Sequence, residues 1–291
     1  MDDQVSPTVR PLTRAELDVV LDWAAAEGWN PGLADATAFW QADPDGFWAI
    51  EVDGELVGSA SFVVYGPRFG FAGLFMVTPQ WRGRRIGATA VADLFANTLP
   101  RLDRDATIAI DGVFVMQDYY ASLGFRFTHR NLRMTGEGRN LRSAAVGPDR
   151  AVALTEVPFD RVVAFDAEHF GARRPEFLRA WISPTGGRGV AVLAGEQIRG
   201  IGVVRPCRVG FKIGPLFASD EFVAEAIFGR LSDHAAGAQL VLDIPECNPQ
   251  AVALAARHGL QQSFGCARMV MGSTPDIPWQ QVYGVTTFEL G

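Results

Sequence analysis

The sequence predicts an α+β protein, a mixed sheet flanked by helices and built twice in tandem. Three observations predict it. Short β-rich runs alternate with helical patterns. A segment crowded with Arg and Gly, "RGRRIG", joins a strand-like run to a helix-like one. The order of elements in the first half then returns about 140 residues later, too long a period for a solenoid and suited to a duplicated domain.

In the first half, "TRAELDVVLDWAAAEG" reads as a helix. Thr13 and Glu16 stand in capping-box spacing, and Gly28 stops the helix. "GFWAIEVDGELVGSASFVVYG" reads as a hairpin turning at Asp53-Gly54, a type I′ signal. "FGFAGLFMV" is apolar along most of its length, as a central strand is. After the Arg/Gly segment, Ile86, Ala90, Val91, Leu94 and Phe95 share one helix face. "ATIAI" is a further strand, and "QDYYASLGF" a short helix ended by Gly124.

Residues 136–150 are rich in Gly, Arg and Ser and read as a linker. The second half repeats the plan. "GVAVLAGEQIRGIGVV" echoes the first hairpin, with Gly195 near the place of Gly54, and "VGFKIGPLFA" echoes "FGFAGLFMV". "EFVAEAIFGRL" and "QLVLDI" supply helix and strand, and "ALAARHGL" answers "DYYASLGF". Even "ARM" at 267–269 echoes "LRM" at 132–134.

Composition narrows the function. The chain has 291 residues, of which 48% are hydrophobic and 20% charged, and a net charge of −7. A general nucleic-acid binder carries a basic surplus, so that role is discounted. No apolar run reaches 18 residues, so no membrane span is expected, and "MDDQVSPTVRPL" lacks the pattern of a signal peptide. Three widely spaced cysteines fit reduced thiols in a cytoplasmic protein, and the four histidines show no metal-ligand spacing. No metal site is expected.

The strand, Arg/Gly turn and helix of "FMVTPQWRGRRIGATAVADLF" form an arrangement that aims backbone N–H groups at an anion. A helix start leaves its first donors unpaired and carries about half a positive charge, so it attracts phosphate. Gly83 and Gly87 let backbone approach a ligand, and Arg82, Arg84 and Arg85 add charge and forked donors. Gly87 is followed by Ala88-Thr89 rather than Lys and Ser/Thr, so this is no P-loop, and G-x-G-x-x-G is absent.

These residues resemble the acetyl-CoA-binding signature of the GNAT superfamily of N-acetyltransferases, Gln/Arg-x-x-Gly-x-Gly/Ala. Arg82 matches its first position and Gly87 its last, while Arg85 stands where the middle Gly is usual. Tyr119-Tyr120-Ala-Ser-Leu-Gly124-Phe125 resembles a second landmark of the family. Nearly the whole chain is similar to a bacterial subgroup with tandem GNAT domains. "EGWNPGLADATAFWQADPDGF" matches its N-terminal signature, and "IGPLFASD" and "VYGVTTFELG" match its second domain.

The resemblance implies two tandem acyl-CoA N-acyltransferase folds: a catalytic domain over 8–135, the linker, and a second domain over 151–291. It implies acetyl-CoA as co-substrate. Phe75, Met76 and Val77 grip the pantetheine arm, and Arg82, Gly83, Arg84, Arg85, Ile86, Gly87 and Ala88 hold the pyrophosphate. Tyr120 acts as general acid, a role suited to a neutral phenol of ordinary pKa near 10. The second half has neither element: after "IGPLFA" come acidic Asp220 and Glu221, and Ala255 stands where Tyr120 stands. It is expected to be a degenerate GNAT domain that closes the cleft, shapes the pocket or pairs two chains as a homodimer. A catalytic Cys247 in "PECNP" has no base placed beside it and is set aside.

The implied reaction is acetyl transfer to a primary amine of a small molecule or amino acid. An alkyl amine of pKa about 10.4 is neutral in only about one part in two thousand at pH 7, a handicap near 4.6 kcal/mol, so a base or water relay is needed. Glu27, Asp35, Glu51 and Asp111 are the candidates, Asp111 foremost because it ends an apolar strand ahead of Tyr120. The stretch from Glu27 to Trp48, with Trp29, Asn30, Phe39, Trp40, Asp43 and Phe47, is expected to cover the acceptor site. Two rival readings stand beside this one: an acyl-CoA sensor without turnover, and a dimerisation scaffold.

Overall fold

A computed structural model describes residues 6–141 and 149–291. The first half runs β1 (Thr8–Pro11), α1 (Arg14–Ala26), α2 (Asp35–Ala42), β2 (Phe47–Val52), β3 (Glu55–Val64), β4 (Phe69–Val77), α3 (Ile86–Thr98), β5 (Thr107–Val113), α4 (Gln117–Ser122) and β6 (Arg126–Glu137). The second runs β7 (Arg150–Ala153), α5 (Phe159–Phe170), α6 (Pro175–Trp181), β8 (Arg188–Ala194), β9 (Gln197–Pro206), β10 (Phe211–Ala218), α7 (Glu221–His234), β11 (Gln239–Pro245), α8 (Pro249–Arg257), β12 (Gln261–Met271) and β13 (Val282–Gly284).

Local signals set several boundaries. The capping box forms at α1: the Glu16 amide donates to Thr13 Oγ1 at 3.3 Å, and the Thr13 amide donates to Glu16 Oε2 at 2.8 Å. The turn between β2 and β3 has Asp53 at φ 52° and Gly54 at φ 80°, the left-handed pair that a type I′ turn requires.

All strands join one sheet, in the order β1-β2-β3-β4-β5-β12-β6-β11-β10-β9-β8-β7, with β13 on β10. The β4/β5 and β10/β11 pairs are parallel and the rest antiparallel. The two halves therefore exchange their last strands. β6 pairs with β11 of the second half, β12 pairs with β5 of the first, and β6 and β12 run side by side at the centre.

With this exchange neither 8–135 nor 151–291 holds a complete sheet by itself. The expected linker is shorter: β6 runs on through Gly136 and Glu137, and Arg150 opens β7. Its residues 142–148 lie outside the described residues.

Each exchanged strand carries an arginine that clasps an aspartate of its new neighbour. Arg133 of β6 donates from Nε and a terminal nitrogen to the two carboxylate oxygens of Asp243 in β11, at 2.8 and 2.7 Å. Arg268 of β12 does the same to Asp111 in β5, at 2.8 and 2.7 Å. These are the arginines of the "LRM" and "ARM" echoes. Both pairs are nearly solvent-free, so removing one partner would strand a buried charge at a cost of roughly 3–5 kcal/mol. A third buried pair, Arg205 with Asp35, ties α2 to β9.

Candidate active site

The β4/β5 pairing runs only from Phe69↔Thr107 to Ala72↔Ile110. Beyond it the strands part, and the whole of Gly73–Val77 lines a cleft of about 1200 Å³. A register shift in the β3/β4 pair between Ser59 and Ser61, with Leu74 at φ 45°, marks a bulge where the strands separate. The Ser59 hydroxyl donates to the Leu74 carbonyl at 2.8 Å and holds that bulge.

The loop before α3 closes one end of the cleft. The first helical bond is from the Thr89 amide to the Arg85 carbonyl, at 3.0 Å. The amides of Ile86, Gly87 and Ala88 precede it, and no side chain caps them. Arg85, at the cap position, has φ 61° and ψ 11°. That left-handed conformation suits glycine, the residue usual there, so arginine holds it at a conformational cost of roughly 1–2 kcal/mol. Gly87 packs on Phe75: a Cβ at Gly87 would lie 3.0 Å from Phe75 Cζ.

Tyr120 lines the cleft from α4, with its ring lying on Gly112 of β5, where a Cβ would come within 2.3 Å of it. Burial, with lesser contributions from Cys266 and Tyr119, pushes its phenol up to about 12. The group therefore keeps its proton at neutral pH.

The structure gathers Glu27, Trp29, Phe75, Met76, Val77, Arg82, Gly83, Arg85, Ile86, Gly87, Ala88, Asp111 and Tyr120 around this one cleft. It corrects several details. Arg84 does not line the cleft; its guanidinium lies 4.8 Å from the centre of the Trp81 ring. Arg82 is already engaged, donating to the Val77 carbonyl at 2.9 Å and to Glu27 at 2.5 Å. The Asn30 side chain makes paired 2.9 Å bonds with the Val209 backbone, pinning the "WNPG" loop to the second half.

The four expected base candidates are all partnered. Glu27 is paired with Arg82, Asp35 with Arg205, Glu51 with Arg10, and Asp111 with Arg268. Asp111 also accepts from Asn131 at 2.8 Å. Of the stretch from Glu27 to Trp48, Glu27 and Trp29 line the cleft. Phe39 and Phe47 are fully buried, Trp40 stacks on Phe47, and Asp43 is held by Arg101 and the Val64 amide.

The second half lines part of the same cleft. Gln262–Cys266 of β12 and Phe288-Glu289 of the terminal segment line it together with Trp29 and Arg133. Sequence reasoning missed these second-half residues. One signal was available, a glutamate set within the apolar-flanked ending "TTFELG". The cysteine among them, Cys266, is a poor nucleophile, because burial, reinforced by Asp111, pushes its thiol well up.

The corresponding site in the second half is filled. β10 pairs with β11 only from Phe211↔Leu240 to Ile213↔Leu242. Beyond that, β13 occupies the gap, pairing Leu216↔Gly284 and Phe217↔Val282 with β10. The Val285 amide adds a bond to the Asp243 carbonyl of β11, at 2.8 Å. At the start of α7, Asp220 accepts from the amides of Phe222 and Val223 at 3.0 Å, so a carboxylate already takes the donors that α3 leaves open.

Comparison with known proteins agrees with the duplicated fold. The acetyltransferase (GNAT) family matches residues 15–125, and an acetyltransferase (GNAT) domain matches residues 162–284. The chain belongs to the tandem GNAT acyltransferases.

The holothin acyltransferase of Pseudoalteromonas sp. (strain SANK 73390) is 27% identical over 292 residues, spanning 100% of this chain and 97% of that protein. A putative acetyltransferase from Pyrococcus horikoshii superposes with a TM-score of 0.81 at 24% identity, over 98% of this chain and 96% of its own. A tandem GNAT protein from the clavulanic acid biosynthesis pathway superposes at 0.62 and 14% identity, over 93% and 99%. Both likenesses show the tandem GNAT fold for this chain.

Proposed function

We propose that this tandem GNAT protein moves acetyl from acetyl-CoA to a primary amine, and that the only CoA site lies in its N-terminal half. The observation that carries this reading is the contrast between an open β4/β5 gap beside an uncapped α3 and a β10/β11 gap filled by β13 beside a capped α7.

The open amides of Ile86, Gly87 and Ala88, with Arg85, suit the pyrophosphate. The parted edge of β4 offers main-chain groups to the pantetheine arm and the thioester carbonyl. Tyr120 stands in the same cleft with its proton retained, able to protonate the departing thiolate. The chemistry is direct attack: the amine nitrogen bonds to the thioester carbon, the C–S bond breaks, and the sulfur takes the phenol proton.

Calorimetric titration with acetyl-CoA should give one site per chain. Release of free CoA should follow when amines are added. Two sites per chain, or none, would overturn the assignment.

A further inference from the structure

Resting on that reading, we infer that Glu289 is the base that receives the acceptor's ammonium proton, and that the acceptor is a cationic primary amine carried on an aromatic or similarly flat apolar body. Glu289 is nearly buried, at 3% exposure, yet it lines the cleft. Its Oε2 has no hydrogen-bond partner among the described residues, whereas Glu27, Asp35, Glu51 and Asp111 are all spent on arginines. A buried carboxylate oxygen without a hydrogen-bond donor is costly unless something with N–H donors completes it. An ammonium group does so.

Its position fits the reaction. The Glu289 carbonyl lies where a Cβ on Gly73 would be, only 2.0 Å from that point. Gly73 is the first residue of β4 beyond the last β4/β5 partner, Ala72. Only a glycine lets the terminal segment come so close to the parting of the strands. The backbone is fixed on both sides, by Thr287 Oγ1 accepting from the amides of Glu289 and Leu290, and by the Tyr65 hydroxyl donating to the Leu290 carbonyl. Trp29, Phe264 and Phe288 supply apolar walls at this end.

The cationic groups near Glu289 come from three strands, Arg205 of β9, Lys212 of β10 and Arg133 of β6, and the titratable Cys266 thiol of β12 lies near it as well. Arg205 and Arg133 are neutralised by Asp35 and Asp243. Lys212 donates to the Trp29 carbonyl at 3.3 Å, and burial, with Arg133 beside it, pushes its ammonium down.

The proton balance closes. Glu289 takes one proton from the ammonium, and the freed lone pair forms the C–N bond. The thiolate leaves with the proton of Tyr120. The second nitrogen proton restores that phenol through water, and Glu289 returns its own to solvent.

The test uses the full chain, acetyl-CoA and phenethylamine, with ethylamine as the small aliphatic control. Glu289→Gln should fold and bind acetyl-CoA as the wild type does, while kcat/KM for phenethylamine at pH 7 falls roughly 10²–10⁴-fold. The wild-type profile should stay flat as pH rises toward the pKa of the amine. The variant's should rise about tenfold per pH unit toward the pKa of the amine, as free amine replaces the missing base. Glu289→Asp should recover part of the rate, and phenethylamine should surpass ethylamine.

A variant profile parallel to the wild type, or a loss of acetyl-CoA binding, would overturn the role of Glu289 and leave the acetyltransferase reading standing. Preference for ethylamine would overturn the aromatic acceptor. Absence of wild-type CoA release with either amine or with a wider panel would overturn the transferase reading and this inference together.

Discussion

The N-termini of α3 and α7 are counterparts in the two halves, and they have opposite fates. At α3 the cap position is Arg85 in a left-handed conformation, and no side chain satisfies the first amides. At α7 the cap is Asp220, whose carboxylate accepts from two of them. The strand gaps beside them differ in the same sense, one open to a cleft of about 1200 Å³ and the other filled by β13. An anion site and a capped helix are the same backbone geometry with a different partner for the N–H groups. One half leaves those donors without a side-chain partner, and the other satisfies them from its own chain.

The filled half still contributes to the open one. The segment that plugs the β10/β11 gap continues past Val285 to place Phe288 and Glu289 in the first half's cleft, and the exchanged strand β12 supplies Gln262–Cys266. The second half thus supplies part of the lining of the first half's cleft.

The largest expected effect in this comparison is at Tyr120, where the second half has Ala255. Tyr120→Phe keeps the ring on Gly112 and removes the proton. CoA release should fall roughly 10²–10⁴-fold, with the loss in kcat rather than KM, while acetyl-CoA binding and melting temperature stay near wild type. Steady-state kinetics beside calorimetry would check this; near wild-type turnover would mean another group protonates the thiolate.

Next comes Gly87. Its Cβ position is already 3.0 Å from Phe75, so the side chain of Gly87→Leu must displace Phe75 or enter the cleft. Loss of two charge-assisted amide contacts corresponds to roughly 3 kcal/mol or more, and acetyl-CoA affinity should fall about 100-fold or beyond. Unchanged affinity by calorimetry would remove the loop from the CoA site.

The smallest effect is expected at Asp220. Asp220→Ala removes a cap and should cost about 1 kcal/mol in thermal or urea unfolding at pH 7, without creating a second CoA site, because β13 still fills the gap. Burial acts to raise the Asp220 carboxyl, but the Val223 amide, the Ser219 hydroxyl and Arg199 outweigh it and hold it below its ordinary value. A carboxyl depressed in the folded state stabilises above its unfolded pKa, and that contribution is lost as pH falls through the folded one. The gap between wild type and variant should therefore close on acidification below the ordinary aspartate range. A second CoA site in this variant would show that the cap alone kept the half inactive.

Local chemistry was legible in the sequence because its causes are local. The Thr13/Glu16 box, the Asp53-Gly54 turn, the "RGRRIG" loop and the Tyr120-to-Gly124 spacing each depend on residues a few positions apart, and backbone sterics and N–H accounting act at that range. The repeat was legible too, since two copies of one pattern need only be compared. What the tertiary structure alone decided were pairings across the chain. Which half's sheet receives β6 and β12, which aspartate each arginine clasps, and which gap β13 fills are choices between near-equivalent partners that local pattern does not distinguish. That is why Asp111 reads as a free base in sequence and proves to be bound to Arg268, 157 positions away. It is also why Glu289 gives no sign of its place beside Gly73 until the sheet has closed around it.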